Sequence, residues 1–502
     1  MIEQHSNPFY TDNICYPGTT SLYYQNLIPL LGLMSIPLQW FLSIQVIYNL
    51  LVIASFMLSG IGMYLLARRI TGNEYAGLLG GILFAFSPIR FEWMNLGWLN
   101  VLSCQWIPFY IYFLLRSLDE CKKRDILLAG GFLAASGLTH LEFLIFGGLI
   151  TLILVLHRLL VFRDIRGVLM VTSKVFMVFF ILSSPVLVPT IMEGMRETYP
   201  RTLILDVGYN SPDAIGIFIP SDHNLLFKES IGFFYERLST TRGYVQVSYL
   251  GFVLILYAIY GVLSGDIKKN LPWIIASILF YLISLGPIIH VFGQDSGLPS
   301  IYPLFRQLPF TSYMRFIGRF TLMLQLSLAV LASIGFASVT RGLNKGQVAL
   351  IFLATTTIFL SEAAIPVEMK EGLGGSSQGY NLPQDAVILN LPSNSKETKM
   401  MATLTGGRYV NCYMQRKPKD HVESVMLERI RPTFKRLHYP WKDWNDTVVL
   451  ADSGLLRSNG VGYITVVKGS YHDRVDELSA HLERMGAVKL HESGQVMIYG
   501  LP

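Results

Sequence analysis

Charged residues are scarce in this chain. They make up 15% of its 502 residues, while hydrophobic residues make up 52%. A soluble domain has about 25% charged residues, so this composition excludes an ordinary soluble protein. Cysteine is also rare: four residues form no CxxC pair and no metal-binding spacing, which excludes a thiolate metal site.

Motifs for nucleotide chemistry are missing as well. The sequence has no Walker or dinucleotide fingerprint. Its C-terminal part, 381–502, has no Gly-rich phosphate loop, no nucleophile elbow and no HExxH, so nothing there indicates catalysis. These absences exclude the common nucleotide-dependent and zinc-dependent enzymes.

Long apolar runs are what the sequence does have. A bilayer core of roughly 30 Å needs about 20 apolar residues per helix. The clearest predicted spans are 44–66, 98–115, 143–160, 171–191, 247–264, 271–291 and 321–340. Three shorter ones are 75–88, 125–139 and 347–363. Gly and Ala are frequent in the first two of these, and small residues let helices approach closely, so we predict buried spans there.

Lys and Arg residues lie in alternate short loops between these spans. Basic loops remain cytoplasmic, and this bias accounts for the net charge of +6 without nucleic acid. The opposite loops, 193–245 and 291–319, and both ends of the chain are then extracytoplasmic. Cys15 and Cys412 fall on that side, where a disulfide is an alternative to the unpaired state that we favour.

The domain organisation follows from this topology. An N-terminal extracytoplasmic segment, 1–42, has a short interfacial helix at 27–38. The transmembrane domain covers 43–363, and a Gly/Ser linker follows at 364–380. In the extracytoplasmic domain, 381–502, predicted strands alternate with predicted helices. The strands are at 386–391, 462–468 and 496–499. The helices are at 396–404, 421–437 and 473–485. The predicted fold is a polytopic α-helical membrane protein with about ten transmembrane helices and a small C-terminal α/β domain.

The order of short motifs along the chain carries further information. The motifs are NPFYTD (7–12), YPG (16–18), IPL (36–38), YNL (48–50), YLLAR (64–68), FAFSP (84–88), QWIP (105–108), SPD (211–213), IPS (219–221), GRF (318–320) and LNLP (389–392). In this order the chain resembles the GT-C superfamily of integral membrane glycosyltransferases. The resemblance implies transfer of a sugar from a polyprenyl-phosphate carrier, on the outer face of the cell membrane, to a lipid, glycan or protein.

The chain departs from the superfamily in two places. The resemblance implies an acidic residue in the first outer loop, directly after a first transmembrane helix. This chain starts outside the membrane without a signal peptide, so we expect that this helix is missing from it. Asp12 is then a candidate surrogate base, with an ordinary turn residue as the alternative. A histidine that relatives have near residues 97–98 is also missing.

Transfer from a lipid phosphate needs a carboxylate to take a proton and cations to hold the leaving phosphate. His140 and Glu142 lie in a predicted outer turn, where they either line the active site or form a solvated turn. Arg315 and Arg319 stand four residues apart before a span and would share one helix face, suited to a phosphate or a lipid headgroup. Arg242 is a further candidate for substrate binding.

Outer-loop residues complete the candidate list. Asp213 and His223, beside Asp222, are candidates for contacts with the acceptor, with turn chemistry as the alternative. For Arg90 and Glu92 we expect mutual pairing or exposure. No cofactor is predicted; a divalent ion is an open alternative, because Asp and His can bind one together.

The predicted partners are the polyprenyl-phosphate donor and membrane lipids. A transporter or flippase is the competing function, although the sequence shows no inverted repeat of the kind typical of transporters. A non-catalytic protein of the cell envelope is the third.

Overall fold

The structure is a computed structural model. It describes residues 7–16, 20–25, 27–162, 165–196, 201–231, 248–367, 382–383, 385–391, 408–410, 433, 437, 446–468, 474–492 and 496–502. The chain divides into two compact units. The helical unit contains Leu27–Pro189 and Arg201–Glu368, and the sheet unit contains Met1–Asn26, Thr190–Pro200 and Met369–Pro502.

The helical unit is built from α-helices, and the last turns of the helix Ile165–Arg196 belong to the sheet unit. The helices are α1 (Pro29–Gln39), α2 (Ile44–Thr71), α3 (Glu74–Ala85), α4 (Pro88–Asn95), α5 (Leu99–Leu102), α6 (Trp106–Glu120), α7 (Lys123–Thr139), α8 (Glu142–Phe162), α9 (Ile165–Arg196), α10 (Ile204–Tyr209), α11 (Phe252–Ser264), α12 (Ile267–Ser284), α13 (Tyr302–Phe305), α14 (Thr321–Val339) and α15 (Lys345–Ala363). Short 3-10 turns cover Ala214–Phe218, Thr311–Tyr313 and Ile317–Phe320, and a small hairpin pairs β3 (His290–Val291) with β4 (Gln294–Asp295).

Seven helical segments among the described residues are long and apolar enough to cross a membrane. They are Ile44–Thr71, Leu99–Glu120, Glu142–Val161, Ile165–Met195, Ile267–Ser284, Ile317–Val339 and Lys345–Ala363. The other three predicted spans form the helices α3, α7 and α11, of 12, 17 and 13 residues. The chain is therefore a multi-pass membrane protein by the length and composition of its helices, and the count of about ten stays a prediction.

The Gly- and Ala-rich segments are buried between other helices, as predicted. A Cβ atom on Gly81 of α3 would lie 2.7 Å from the carbonyl oxygen of Gly60 in α2. A Cβ atom on Gly130 of α7 would lie 2.7 Å from the carbonyl oxygen of Val175 in α9. These backbones approach so closely because no side chain separates them.

Ion pairs join the ends of α2, α6, α7 and α8 at one end of the helical unit. Arg69 and Arg158 both pair with Asp119, and Arg116 Nε lies 3.2 Å from Asp125 Oδ2. We call this the basic end. Three loops that the charge pattern predicts to share one side of the membrane do meet there, while the side itself stays a prediction.

The first helix, α1, is found where the sequence predicts a short helix. It buries Leu31 and Ser35, while Leu33, Trp40 and Phe41 in and after it are largely exposed. No charged residue occurs between Asp12 and Arg68. An exposed surface that is apolar, aromatic and uncharged is typical of a helix at a membrane interface.

The sheet unit contains a five-stranded sheet in the order β6-β5-β7-β9-β8. Its strands are β5 (Val387–Leu391), β6 (Arg408–Tyr409), β7 (Tyr463–Val467), β8 (Val488–Glu492) and β9 (Val496–Gly500), and its described helices after the linker are α16 (Asp446–Ser458) and α17 (Val475–Arg484). β5 pairs in parallel with β6 and β7, and β9 pairs antiparallel with β7 and β8. The predicted strands β5, β7 and β9 and the helix α17 are confirmed. The predicted helices at 396–404 and 421–437 lie outside the described residues except for Thr433 and Leu437.

The N-terminal segment contributes to the sheet unit. A hairpin pairs β1 (Tyr10–Thr11) with β2 (Thr20–Ser21), and Ile14 forms a parallel bridge to Tyr409 of β6. No local pattern in the sequence indicates this contact between residues so far apart. Cys15 is disulfide-bonded, whereas Cys104 and Cys121 are free. The expectation that Cys15 is unpaired was wrong, because the sheet brings residues far apart in sequence next to this segment.

Candidate functional site

The turn between α7 and α8 supplies two of the predicted site residues. His140 ends α7 in an extended conformation, and Glu142 opens α8. The backbone N–H of Glu142 donates a hydrogen bond to His140 Nδ1 at 3.2 Å. Both residues are largely buried, so the alternative of a solvated turn is wrong. The turn lies far from the basic end, since the 16 residues of α8 from Glu142 to Arg158 span about 24 Å.

Arg319, which lies 177 residues after Glu142 in the sequence, contacts this turn. The 3-10 turn Ile317–Phe320 carries it, and its Nη1 donates to Glu142 Oε2 at 2.9 Å. The Arg319 and Glu142 side chains are 4% and 16% exposed. The guanidinium carbon lies 5.3 Å from the ring centre of Trp98 and 4.5 Å from that of Phe316. The ion pair is thus enclosed by aromatic rings, where a cation is further stabilised.

Two buried nitrogen atoms of this cluster have no hydrogen-bond partner among the described residues: Arg319 Nε and His140 Nε2. Burial lowers the pKa of His140 to about 4; nearby Glu142 opposes this shift and Arg319 adds to it. The imidazole is therefore neutral at pH 7. Because Nδ1 accepts a hydrogen bond, the proton is assigned to Nε2. The cluster thus holds two N–H donors that have no acceptor among the residues the structure describes, and folded proteins rarely leave such groups buried.

A second polar group is centred on Glu92 of α4. Glu92 Oε1 accepts from Ser221 Oγ at 2.6 Å and lies 3.1 Å from His223 Nδ1. The backbone N–H of His223 donates to Ser221 Oγ at 3.1 Å. The His223 side chain is 56% exposed, while that of Glu92 is 11% exposed. The carboxylate is therefore buried beneath an accessible imidazole.

Arg90 does not pair with Glu92, so the expected mutual pairing or exposure was wrong. Residues two apart on a helix point in different directions. The Arg90 guanidinium is fully buried and donates to the carbonyl oxygens of Ala85 and Leu102 and to Ser55 Oγ. Its role here is to tie the start of α4 to α2 and α5.

Both carboxylate oxygens of Asp213 accept hydrogen bonds from backbone N–H groups. Oδ1 accepts from the N–H of Ile215 at 3.0 Å, and Oδ2 accepts from the N–H of Gly293 at 2.7 Å. The first contact caps the 3-10 turn Ala214–Phe218, and the second fixes the β3–β4 hairpin. This arrangement favours the turn alternative over a contact with substrate.

The predicted arginine pair is separated in the structure. Arg315 is exposed and precedes the helical turn, whereas Arg319 lies within it and is buried. The expectation that both share one helix face was wrong, because the backbone at Arg315 is not helical and the spacing of four has no meaning there.

The remaining candidates lie elsewhere. Asp12 belongs to the sheet unit, where its Oδ2 is 3.7 Å from Arg408 Nε. Arg242 lies outside the described residues. Within the part of the chain that the structure describes, no group of three or more His, Cys, Asp or Glu residues could hold a metal ion.

Comparisons with known proteins give a family and two distant likenesses. A family model described as a domain of unknown function (DUF6311) matches residues 3–358. No curated protein matches the chain significantly. The chain is similar to the archaeal oligosaccharyltransferase AglB from Archaeoglobus fulgidus in complex with an inhibitory peptide and a dolichol-phosphate, with 10% identity, a TM-score of 0.48, and coverage of 100% of this chain and 68% of that one.

A second solved structure is the Archaeoglobus fulgidus oligosaccharyltransferase tethered to an acceptor peptide that contains the NVT sequon. Its identity is 9%, its TM-score is 0.47, and the match covers 98% of this chain and 68% of that one. At these TM-scores the two likenesses do not argue for a particular function.

Proposed function

The chain belongs to the DUF6311 family of domains of unknown function, and we propose that it is a membrane glycosyltransferase. It transfers a sugar from a polyprenyl-phosphate carrier to an acceptor on the outer face of the cell membrane. The order of motifs that resembles the GT-C superfamily supports this reaction.

The observation that carries the proposal is the Arg319–Glu142–His140 cluster. Arg319 Nε and His140 Nε2 are buried N–H groups that lack an acceptor within the described residues. A phosphate oxygen is the acceptor that such donors favour, and arginine suits it by charge and geometry. When the bond from sugar to phosphate breaks, negative charge develops on the phosphate, and fixed donors in a water-poor site stabilise it.

Glu142 has a positioning role in this proposal. Its carboxylate holds Nη1 of Arg319 at 2.9 Å, which leaves the Nε edge of the guanidinium for the ligand. The same guanidinium carbon lies 5.3 Å from the ring centre of Trp98 and 4.5 Å from that of Phe316. The guanidinium is therefore fixed in orientation before the donor binds, and such preorganisation reduces the cost of binding.

Two features support the outer face. Cys15 is disulfide-bonded, and disulfides persist in extracytoplasmic compartments. The basic end lies about 24 Å along α8 from Glu142, a distance comparable to the thickness of a bilayer core. Basic residues at that end favour the cytoplasm, so the cluster would face outward.

The test is release of polyprenyl phosphate from a radiolabelled polyprenyl-phosphate sugar by the purified chain in proteoliposomes. We expect Arg319→Ala to reduce release at least 100-fold, and Arg319→Lys to reduce it strongly, because lysine keeps the charge but lacks the planar Nε edge. The matched control is Arg315→Ala, which removes an exposed arginine four residues away and should stay near wild type. Equal release by wild type and Arg319→Ala would remove the cluster from the reaction.

A further inference from the structure

The proposed function still lacks a base, and the Glu92–His223 pair has the geometry for one. Glu92 Oε1 lies 3.1 Å from His223 Nδ1. A carboxylate at Nδ1 assigns the proton to that nitrogen and directs the basic lone pair to Nε2, on the opposite side of the ring. The His223 side chain is 56% exposed, so an acceptor can reach it.

The loop that carries His223 is held at several points. Ser221 Oγ donates to Glu92 at 2.6 Å and accepts from the N–H of His223 at 3.1 Å. The next residue, Asn224, donates from Nδ2 to the carbonyl oxygen of Glu362 at 2.7 Å. These contacts fix the imidazole through its backbone and its ring together. A catalytic base needs such fixed placement, because proton transfer requires hydrogen-bond distance to the substrate.

The chain also connects this pair to the proposed phosphate cluster. Glu92 lies on α4, and Trp98, whose ring lies under the Arg319 guanidinium, follows six residues later. α4 ends at Asn95, and the chain turns at Gly97, where φ is 70°. The six residues from Glu92 to Trp98 therefore span at most about 20 Å, which keeps the base and the phosphate donors at the same end of the helical unit. A sugar bound by its phosphate at Arg319 could then receive an acceptor from the side of His223.

We propose that His223 is the general base of the proposed transfer, positioned by Glu92, and that the acceptor is a hydroxyl compound. The inference rests on the proposed function. The acceptor O–H proton passes to His223 Nε2 while the oxygen forms a bond to the anomeric carbon. The bond from that carbon to the phosphate oxygen breaks, and polyprenyl phosphate leaves with the electron pair. Glu92 stabilises the imidazolium, which returns its proton to solvent.

Among the described residues, Asp222 is a second charged group near the imidazole. Its Oδ1 lies 4.0 Å from His223 Nδ1, and its side chain is 47% exposed. Glu92 is closer and buried, so its charge is screened less by water. We therefore assign the positioning role to Glu92 and not to Asp222.

The test uses the purified full chain in proteoliposomes, the polyprenyl-phosphate sugar as donor and a soluble sugar alcohol as acceptor. We expect His223→Ala to lower kcat at least 100-fold with little change in the donor KM. Added imidazole should restore part of the activity of this variant, because it can occupy the vacated position and accept the proton. Arg319→Ala, which lacks a different group, should show no such rescue.

Glu92→Gln keeps the shape and the hydrogen-bond acceptor but removes the charge. We expect it to lower kcat about tenfold or more with the donor KM unchanged. Glu92→Asp should be less affected than Glu92→Gln, since it keeps the carboxylate.

Different outcomes overturn the proposed function and the base assignment. A wild-type chain that releases no polyprenyl phosphate overturns the proposed function. An active wild type with an inactive Arg319→Ala variant and a fully active His223→Ala variant overturns the base assignment alone. A His223→Ala variant that is inactive, binds donor normally and is not rescued by imidazole also contradicts it, because it shows a structural role.

Discussion

Single and double substitutions of Arg319 and Glu142 separate the contribution of this ion pair to stability from its contribution to function. With side chains 4% and 16% exposed, the pair is mostly desolvated. Removing one partner of a buried pair costs about 3–5 kcal/mol, because the other charge remains buried. We expect about 3 kcal/mol for Arg319→Met, at the lower end, since Glu142 retains some contact with water.

The double variant Arg319→Met/Glu142→Leu behaves differently on this reasoning. It leaves no charge unpaired, and buried pairs replaced by apolar residues are often neutral or stabilised by about 1–4 kcal/mol. The double variant should therefore be at least as stable as wild type, yet release no polyprenyl phosphate. Denaturant unfolding of the purified chain in detergent, followed by intrinsic tryptophan fluorescence, measures the four proteins of the cycle. Purely additive losses, with the double variant the least stable, would refute the reasoning.

Three further predictions concern packing, pH and the disulfide. Gly335→Ala should destabilise the chain by about 1–3 kcal/mol, because its Cβ atom would meet the backbone carbonyl oxygen of Tyr257 in α11. Gly131→Ala, with nothing near the added atom, should not do so in the same unfolding assay. Burial holds the pKa of His140 at about 4 against an ordinary 6.5, so the folded state binds fewer protons between these values. Stability should then be fully present above pH 6.5 and fall by about 3 kcal/mol as the pH is lowered to 4. His140→Gln should remove this slope, and an unchanged slope would contradict the assignment. Cys15→Ser should destabilise the sheet unit by about 2–5 kcal/mol, measured by protease susceptibility, and resistance equal to wild type would count against it.

The sequence was a good guide to elements and a poor one to contacts. Hydropathy identified long apolar helices such as α2 and α8, because a bilayer demands length and apolar composition in one continuous segment. A run of β-branched residues identified β7, because such side chains are enriched in strands. The hairpin and the bridge that attach the N-terminal segment to the sheet unit have no such local signal.

The candidate site shows the same division. His140, Glu142 and Arg319 were selected as polar groups beside apolar spans, but the pairing of Glu142 with Arg319 joins residues 177 apart in sequence. The Glu92–His223 contact joins residues 131 apart. The rule that residues four apart share one face applies only within a helix. It failed for Arg315 and Arg319, because the backbone at Arg315 is not helical. Tertiary contacts between loops decide which polar residues meet, and one sequence does not encode them in a local pattern.

The central claim is that the chain cleaves the bond between sugar and polyprenyl phosphate. The most direct measurement follows a donor labelled in both the sugar and the lipid, in proteoliposomes that contain the purified wild-type chain. We expect polyprenyl phosphate to appear in an amount equal to that of the glycosylated acceptor. Movement of the intact donor across the bilayer with no cleavage would contradict it and favour a flippase.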